Sequence, residues 1–432
     1  MESTAPAAVR QAVLPFPVAA RSLAAAFLRV SDPRRVASVA YPLAAVLSRA
    51  VAAILANALS ELAIAQWGAR QPAERRRALG FPDGRTPCQS TLQRLFCKLD
   101  GQALAEALSA GYPTPGRGYP GVAPVAVPPP AEPGSWGVAI DGKAQRGRLP
   151  FQSGGSPVHA TPARGYPAFC HERGVVLAQE PIERGEEKSE AELTVAPALV
   201  AGDPRTGVAW PGRVLTGDAL FRHCTLCAQV LAAGGDYLLR VKENQPTGYP
   251  LGVADLALLF DPPAALGPTA LVDRREASTR DREHGRQEEV RQLVASTDLA
   301  ASLDWPGLAQ VFRLERTWRG HGKAKHALLY GITSLSPEAG PPERLLALMR
   351  GTPARGYPAI ENGLHRVKDV ALGEDRSTLH CGQGPTVMAF LRDAALGLLR
   401  REGIHQIAAR LRAHAQDPAP TVALVLAAPT HA

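Results

Sequence analysis

The chain has 432 residues, which is enough for two or three domains with at least one sizeable hydrophobic core. Its six cysteines are scattered without a disulfide framework, so the composition excludes a small disulfide-stabilised secreted protein. The net charge of +8 suits a polyanionic partner without requiring one. No secretory signal is visible, and the longest apolar segment, residues 36–60, is interrupted by Arg49. We therefore expect a cytoplasmic protein with no membrane partner.

The first clear pattern along the chain is helical. Residues 1–31 give no firm periodicity, whereas residues 32–110 place apolar side chains such as Leu43, Leu47 and Ile54 at helix spacing. This predicts a small all-helical N-terminal domain, followed by a Gly/Pro-rich linker at residues 111–135. Five arginines of this domain suit contacts with DNA phosphates, although solvated charges on ordinary helices are an equally good interpretation: Arg70, Arg75, Arg76, Arg77 and Arg94.

Residues 136–415 alternate β-prone runs with helical stretches, which is typical of an α/β catalytic domain. We expect strands at residues 136–140, 174–179, 214–216 and 236–242, with a helix at 220–233. The character changes at about residues 267–333, where charged, strand-like segments indicate a β-rich insertion. Helices return from residue 342, the last long one is expected at 386–415, and residues 416–432 form a tail.

Three acidic residues stand where a metal site could form. Asp141 ends the apolar run at residues 136–140, Asp218 follows a second apolar run, and Glu361 lies in a predicted helix. A carboxylate at the exit of a buried strand is held rigidly yet faces solvent, as a metal ligand must. Each acid also has an ordinary interpretation, respectively as a turn residue, a helix N-cap and a solvated side chain. Together they are able to build a two-metal phosphoryl-transfer site.

The joint context of these acids resembles one known family. Short motifs occur in order at residues 140–143, 174–179, 187–189, 216–220, 234–238, 242–246, 360–365 and 374–376. They are similar to motifs of the DDE-type transposases of bacterial insertion sequences, in the branch that includes the H-repeat-associated proteins. The helical segment from residue 32 to residue 92 also resembles the N-terminal domain of that family. The resemblance covers most of residues 32–413.

The resemblance implies a ribonuclease H-like catalytic core in which Asp141, Asp218 and Glu361 bind two Mg²⁺ or Mn²⁺ ions. One ion would activate water or a DNA 3′-hydroxyl, and the other would stabilise the leaving oxygen. Hard oxygen ligands favour these metals over zinc. The partners would be double-stranded DNA, namely the terminal inverted repeats of the element and its target, bound by a homo-oligomer that we expect to be a dimer. Such a protein would associate with the nucleoid when bound to DNA.

The resemblance gives supporting roles to further residues. Related transposases place a basic residue seven positions after the glutamate, which makes Lys368 a candidate phosphate contact. On a predicted α-helix, Glu361, Leu364 or His365, and Lys368 share one face. The alternative is an ordinary exposed lysine. We expect Asn362 and His365 to support the metal ligands. The other candidates for DNA contact are Lys242, Asn244 and Gln245.

One octapeptide, Thr-Pro-Ala-Arg-Gly-Tyr-Pro-Ala, departs from the family pattern. It occurs at residues 161–168 and 352–359, and nearly so at 114–121. The copies interrupt the lead into the second predicted strand and stand before Glu361, where the family usually has a His-Trp pair; Arg366 also replaces a usual Trp. A shift of about 1 Å at a metal ligand can cost ~100-fold in rate. An inactive relative that only binds DNA, and a metal-dependent nuclease on the same core, are therefore the alternatives to an active transposase.

Overall fold

The structure is a computed structural model. It describes residues 22–35, 39–111, 136–141, 143–144, 164–171, 174, 176–182, 196–197, 199–200, 208, 210–218, 222–242, 252–263, 271–283, 287–300, 302–320, 323–350 and 360–427. Residues 112–135 of the predicted linker, and the octapeptide copies at 114–121 and 352–359, lie outside this part. The chain divides into two compact units. The helical unit comprises Met1–Pro124, Ala144–Ala163 and Lys368–Ala432, and the sheet unit comprises Val125–Lys143 and Arg164–Val367.

Helices from both ends of the chain form the helical unit. The N-terminal ones are α1 (Leu23–Phe27), α2 (Leu43–Leu55), α3 (Glu61–Arg70), α4 (Ala73–Ala78), α5 (Gln89–Phe96) and α6 (Gly101–Gly111). The C-terminal ones are α11 (Gly384–Arg401), α12 (Ile407–Gln416) and α13 (Ala419–Leu426), preceded by a 3₁₀ turn at Glu374–Arg376. The helix at Leu23–Phe27 and the helix at Ala419–Leu426 fall in segments that we predicted to be an undefined N-terminus and a tail.

The position of α2 explains why the two ends of the chain combine. All 13 of its residues are buried, so it needs neighbours on every side, whereas the sequence suggested one broad buried face. Helices α1, α3, α11, α12 and α13 pack around it. The structure therefore differs from the predicted division, which placed residues up to 415 in the catalytic domain: from Lys368 onward the chain belongs to the helical unit.

The sheet unit is built on a single sheet of ten strands. They are β1 (Trp136–Ile140), β2 (Lys143–Ala144), β3 (Arg164–Cys170), β4 (Val176–Ile182), β5 (Arg213–Gly217), β6 (Asp236–Val241), β7 (Arg275–Glu283), β8 (Gln287–Ser296), β9 (Gln310–Gly320) and β10 (Lys323–Thr333). The order is β2-β3-β1-β5-β6-β10-β9-β8-β7, with β4 paired to β3. Pairs β1–β5 and β5–β6 are parallel, and β1–β3, β3–β4 and the ladder from β6 to β7 are antiparallel.

Apolar side chains cover both faces of this sheet, because alternate residues of a strand point to opposite sides. On one face, Val138, Leu215 and Leu239 join a large core with α7 (Cys224–Ala232) and α8 (Val253–Phe260). On the other face, Val214 and Leu238 join a core with α9 (Pro342–Arg350). The chain then forms a π-helical turn, Glu361–His365, and α10 (Arg366–Val370), inside which the boundary between the units falls.

The structure differs from two of our expectations for the sheet. The predicted β-rich insertion does contain four strands, β7 to β10, but β10 pairs with β6, so these strands extend the same sheet. The octapeptide copy at residues 161–168 does not merely interrupt a loop, because Arg164 to Ala168 form most of β3. None of the helices in the described part of the chain is long and apolar enough to cross a membrane.

Candidate functional site

Asp141 and Asp218 lie side by side at one edge of the sheet. They directly follow β1 and β5, which are parallel neighbours in the register Val138↔Leu215 and Ala139↔Thr216. The same register carried two residues further sets Asp141 opposite Asp218, on the face that holds Ala139 and Thr216. Their side chains are partly shielded, with 15% and 27% of their surface exposed. Two of the three predicted acids therefore stand on one face, where water reaches them.

Lys242 is the direct partner of Asp218. It follows β6, the parallel neighbour of β5 on the other side, and its Nζ donates to Asp218 Oδ2 at 2.6 Å. The lysine side chain is 42% exposed. The sequence suggested a DNA contact for Lys242 and gave no sign of this ion pair, although a residue at the end of an adjacent parallel strand is a natural neighbour. Asn244 and Gln245, the other predicted DNA contacts of this segment, lie outside the described residues.

The π-helical turn Glu361–His365 packs on the same face of the sheet. A Cβ added at the buried Gly363 would meet the Phe169 ring at 3.1 Å, and Phe169 is paired with Ala139 in β3. His365 is buried, and its Nε2 lies 3.7 Å from Asp141 Oδ2, which is longer than a hydrogen bond. Glu361 precedes His365 by about one turn and is exposed. π-Helical turns are rare and occur often at functional sites.

Asn362 is exposed beside Glu361. The roles of Asn362 and His365 in supporting the metal ligands stay predictions.

Behind the two aspartates lies a buried polar contact that sequence reasoning missed. His171, just after β3, hydrogen-bonds through Nε2 to Thr216 Oγ1 at 2.9 Å, two residues before Asp218. Its ring lies over Gly137 so closely that a Cβ there would come within 2.3 Å of Nδ1. Burial lowers the pKa of His171 to about 4, which keeps the ring uncharged at neutral pH. Glycine in the middle of a predicted strand was the one available signal of such a close approach.

Lys368 lies in the helical unit with its side chain buried, so the structure does not support the predicted contact with DNA phosphate. It is 2% exposed, and its Nζ lies 3.0 Å from Asp393 Oδ2 and 3.3 Å from Glu374 Oε1. The prediction assumed an α-helical period from residue 361 onward. A π-helical turn contains one extra residue, which rotates the residues after it by about 100° relative to that pattern.

The donor chemistry of the acids fits a divalent metal ion, since carboxylate oxygens are the ligands that Mg²⁺ and Mn²⁺ prefer. The predicted arrangement is a different matter. Within the described part of the chain, no three His, Cys, Asp or Glu side chains lie close enough to hold one metal ion. Asp218 instead contacts an ammonium group, and Asp141 lies near an imidazole. The structure thus brings Asp141 and Asp218 together without completing a three-ligand cluster with Glu361.

Comparison with known proteins gives a family context for this site. Residues 24–110, which include α1 to most of α6, match the family model described as DDE_Tnp_1-associated. YncI of Escherichia coli O157:H7, named as a candidate transposase, is 27% identical over 270 residues, which cover 61% of each chain. These matches, to a DDE_Tnp_1-associated family model and to a protein named as a transposase, support the resemblance of the sequence to the DDE-type transposases of bacterial insertion sequences.

Two further proteins are similar to the chain. An uncharacterised protein in the dhlA 3′ region of Xanthobacter autotrophicus is 27% identical over 293 residues, covering 67% of this chain and 86% of that protein. A cryo-EM structure of the piggyBac transposase synaptic complex with hairpin DNA is similar at a TM-score of 0.37 and 10% identity, covering 96% and 80% of the two chains. The match to YncI spans 61% of that protein's length.

Proposed function

We propose that this chain is a transposase that cuts DNA at the ends of its own element and joins those ends to target DNA. In this proposal Asp141, Asp218 and Glu361 are the acidic residues of a ribonuclease H-like core, and two Mg²⁺ or Mn²⁺ ions are the cofactors. The observation that carries it is the parallel register of β1 and β5, which sets Asp141 beside Asp218 on the face where the Glu361 turn packs.

The strand arrangement supports the proposed core. Strands β4, β3, β1, β5 and β6 follow one another across the sheet, the first three antiparallel and the last two added in parallel. This is the strand arrangement of ribonuclease H-like folds. In such a core, acids follow the first and the fourth strand and meet at the same end of the sheet. If the two-residue β2 is left out, the corresponding strands here are β1 and β5, which Asp141 and Asp218 follow.

The proposed roles of the residues follow from their places. Asp141 and Asp218 would present oxygen donors from rigid strand ends, and Glu361 would approach from the helix above them. Metal ions bound there would supply an activated oxygen nucleophile and a Lewis acid for the leaving oxygen. His365 would restrict the movement of Asp141. The substrate in this proposal is double-stranded DNA, to which a net charge of +8 is suited, and the working form is a homodimer.

The experiment is a nicking assay with DNA that carries the element's ends, in the presence of Mg²⁺ or Mn²⁺. We expect Asp141→Asn to abolish nicking and to leave DNA binding within about twofold, because the change keeps the shape of the side chain and removes its charge. Unchanged cleavage by this variant would refute the assignment. Strand-transfer products would distinguish a transposase from a metal-dependent nuclease with the same core.

A second candidate is an inactive relative that binds DNA without cutting it. The observation in its favour is that the described acids do not form a three-ligand cluster and that Asp218 is paired with Lys242. Full-length protein that binds the element's ends but produces no nick with either metal would support this candidate over the first.

A further inference from the structure

The ion pair between Lys242 and Asp218 occupies one of the two carboxylate oxygens that Asp218 would offer to a metal ion. Lys242 Nζ lies 2.6 Å from Asp218 Oδ2, which is the distance of a charge-assisted hydrogen bond. A divalent ion coordinated by the same oxygen would stand next to a positive charge, and like charges at such a separation repel strongly. The ammonium group and the metal ion therefore exclude each other at this carboxylate.

The Lys242–Asp218 ion pair can separate without a change in the fold. The side chains of Lys242 and Asp218 are 42% and 27% exposed, so water screens their attraction. A lysine head group sits on a flexible four-carbon stem and can leave its partner without movement of the backbone. The contrast within the same chain is Lys368, whose side chain is 3% exposed and is held between two buried carboxylates.

We propose that Lys242 is a positioning residue that competes with the divalent metal for Asp218 in the free protein, so that the lysine must leave Asp218 before the metal binds there. This inference rests on the proposed function, because it takes Asp218 as a metal ligand. Its consequence is that the free protein binds metal more weakly than its carboxylates alone would allow. An anionic partner that binds Lys242, such as a DNA phosphate, would release Asp218 and so strengthen metal binding. Bound metal would strengthen the binding of that partner by the same factor.

The test is a titration of full-length protein with Mn²⁺ in the absence of DNA, followed by electron paramagnetic resonance of the free ion. We expect Lys242→Met to bind Mn²⁺ about fivefold more tightly than wild type, which is the effect of releasing a part-exposed ion pair worth about 1 kcal/mol. Lys242→Arg keeps the positive charge and should stay close to wild type. Lys325→Met is the matched control, because Lys325 is an exposed lysine of the same unit on β10 and its loss changes the net charge equally.

Asp218→Asn separates failure of this inference from failure of the metal site. If Asp218→Asn weakens Mn²⁺ binding while Lys242→Met equals wild type, competition by Lys242 is refuted and the metal role of Asp218 stands. If Lys325→Met tightens binding as much as Lys242→Met, the effect is one of net charge and the inference is also refuted. If Asp218→Asn changes nothing, the proposed metal ligand itself is wrong and the competition with it.

Discussion

The contact between Gly137 and His171 gives the sharpest test of the packing behind the candidate site. In Gly137→Ala, the new Cβ would lie 2.3 Å from His171 Nδ1 and 2.8 Å from Cγ and Cε1, so the ring or the strand must move. His171 is only 3% exposed and is held by its hydrogen bond to Thr216. The ring cannot turn aside without breaking that bond or displacing its neighbours.

The expected cost follows from these contacts. Overpacking a well-packed core costs about 1–3 kcal/mol, and a buried hydrogen bond left unmade adds ~1–3 kcal/mol. Replacing glycine by alanine in an extended strand returns roughly 0.5–1 kcal/mol. We therefore expect Gly137→Ala to lower the free energy of unfolding by about 2–4 kcal/mol, by combining these terms. In the double variant Gly137→Ala/His171→Ala, the new methyl group enters the space that the ring has left. The double variant should therefore lose ~1–2 kcal/mol less stability than the sum of the two single losses.

Urea unfolding followed by tryptophan fluorescence measures this directly. Four of the five tryptophans belong to the sheet unit, so the signal reports mainly on that unit: Trp136, Trp210, Trp305 and Trp318. Gly252→Ala is the control, because its Cβ would meet nothing closer than 3.5 Å and it should add to His171→Ala without overlap. Single losses for Gly137→Ala and His171→Ala that add to within about 0.5 kcal/mol would refute the packing argument.

Three further predictions concern stability. Because the pKa of His171 is lowered from 6.5 to about 4, stability should be lost as the pH falls from about 6.5 to 4. The loss should reach about 3 kcal/mol, and His171→Gln should flatten that part of the curve. Lys368→Met should destabilise the protein by ~3–5 kcal/mol in thermal unfolding, since it leaves the buried carboxylate of Asp393 without its lysine, and adding Asp393→Leu should recover part of the loss. Gly382→Ala should cost more than about 1 kcal/mol, because Gly382 has φ +51 and a Cβ would lie 2.4 Å from the Cys97 carbonyl oxygen.

The sequence was informative where local pattern decides the structure. Apolar runs ending in an acid predicted β1 and β5 and set Asp141 and Asp218 at strand ends, because strand exits can be read from a few residues. The adjacency of these strands is seen in the register and was not predicted from the motifs. The burial of Lys368 was not foreseen, because a π-helical turn precedes it and an α-helical period does not record that turn.

The boundary between the two units also could not be predicted from local sequence pattern. Helix α11 has an ordinary helical pattern, and nothing in it specifies which unit it joins. Helix α11 packs against α2, which is buried on all sides and also contacts α12 and α13. Likewise the pairing of Lys242 with Asp218 depends on β6 lying next to β5, a fact of topology that no single motif contains.

One copy of the octapeptide, at residues 161–168, contributes to the sheet beside Asp141. Residues 164–168 of this copy form β3, pairing with β4 from Arg164↔Ile182 onward and with β1 at Ile140↔Ala168. Ala168 is fully buried, and it stands directly across from Ile140, the residue before Asp141. The copy thus supplies five of the seven residues of β3 but only Ala168 to the pairing with β1, and it is compatible with a continuous sheet. This copy is therefore no sign that the sheet around Asp141 has been lost, and the case for an inactive relative rests on the incomplete ligand cluster and on the pairing of Asp218 with Lys242.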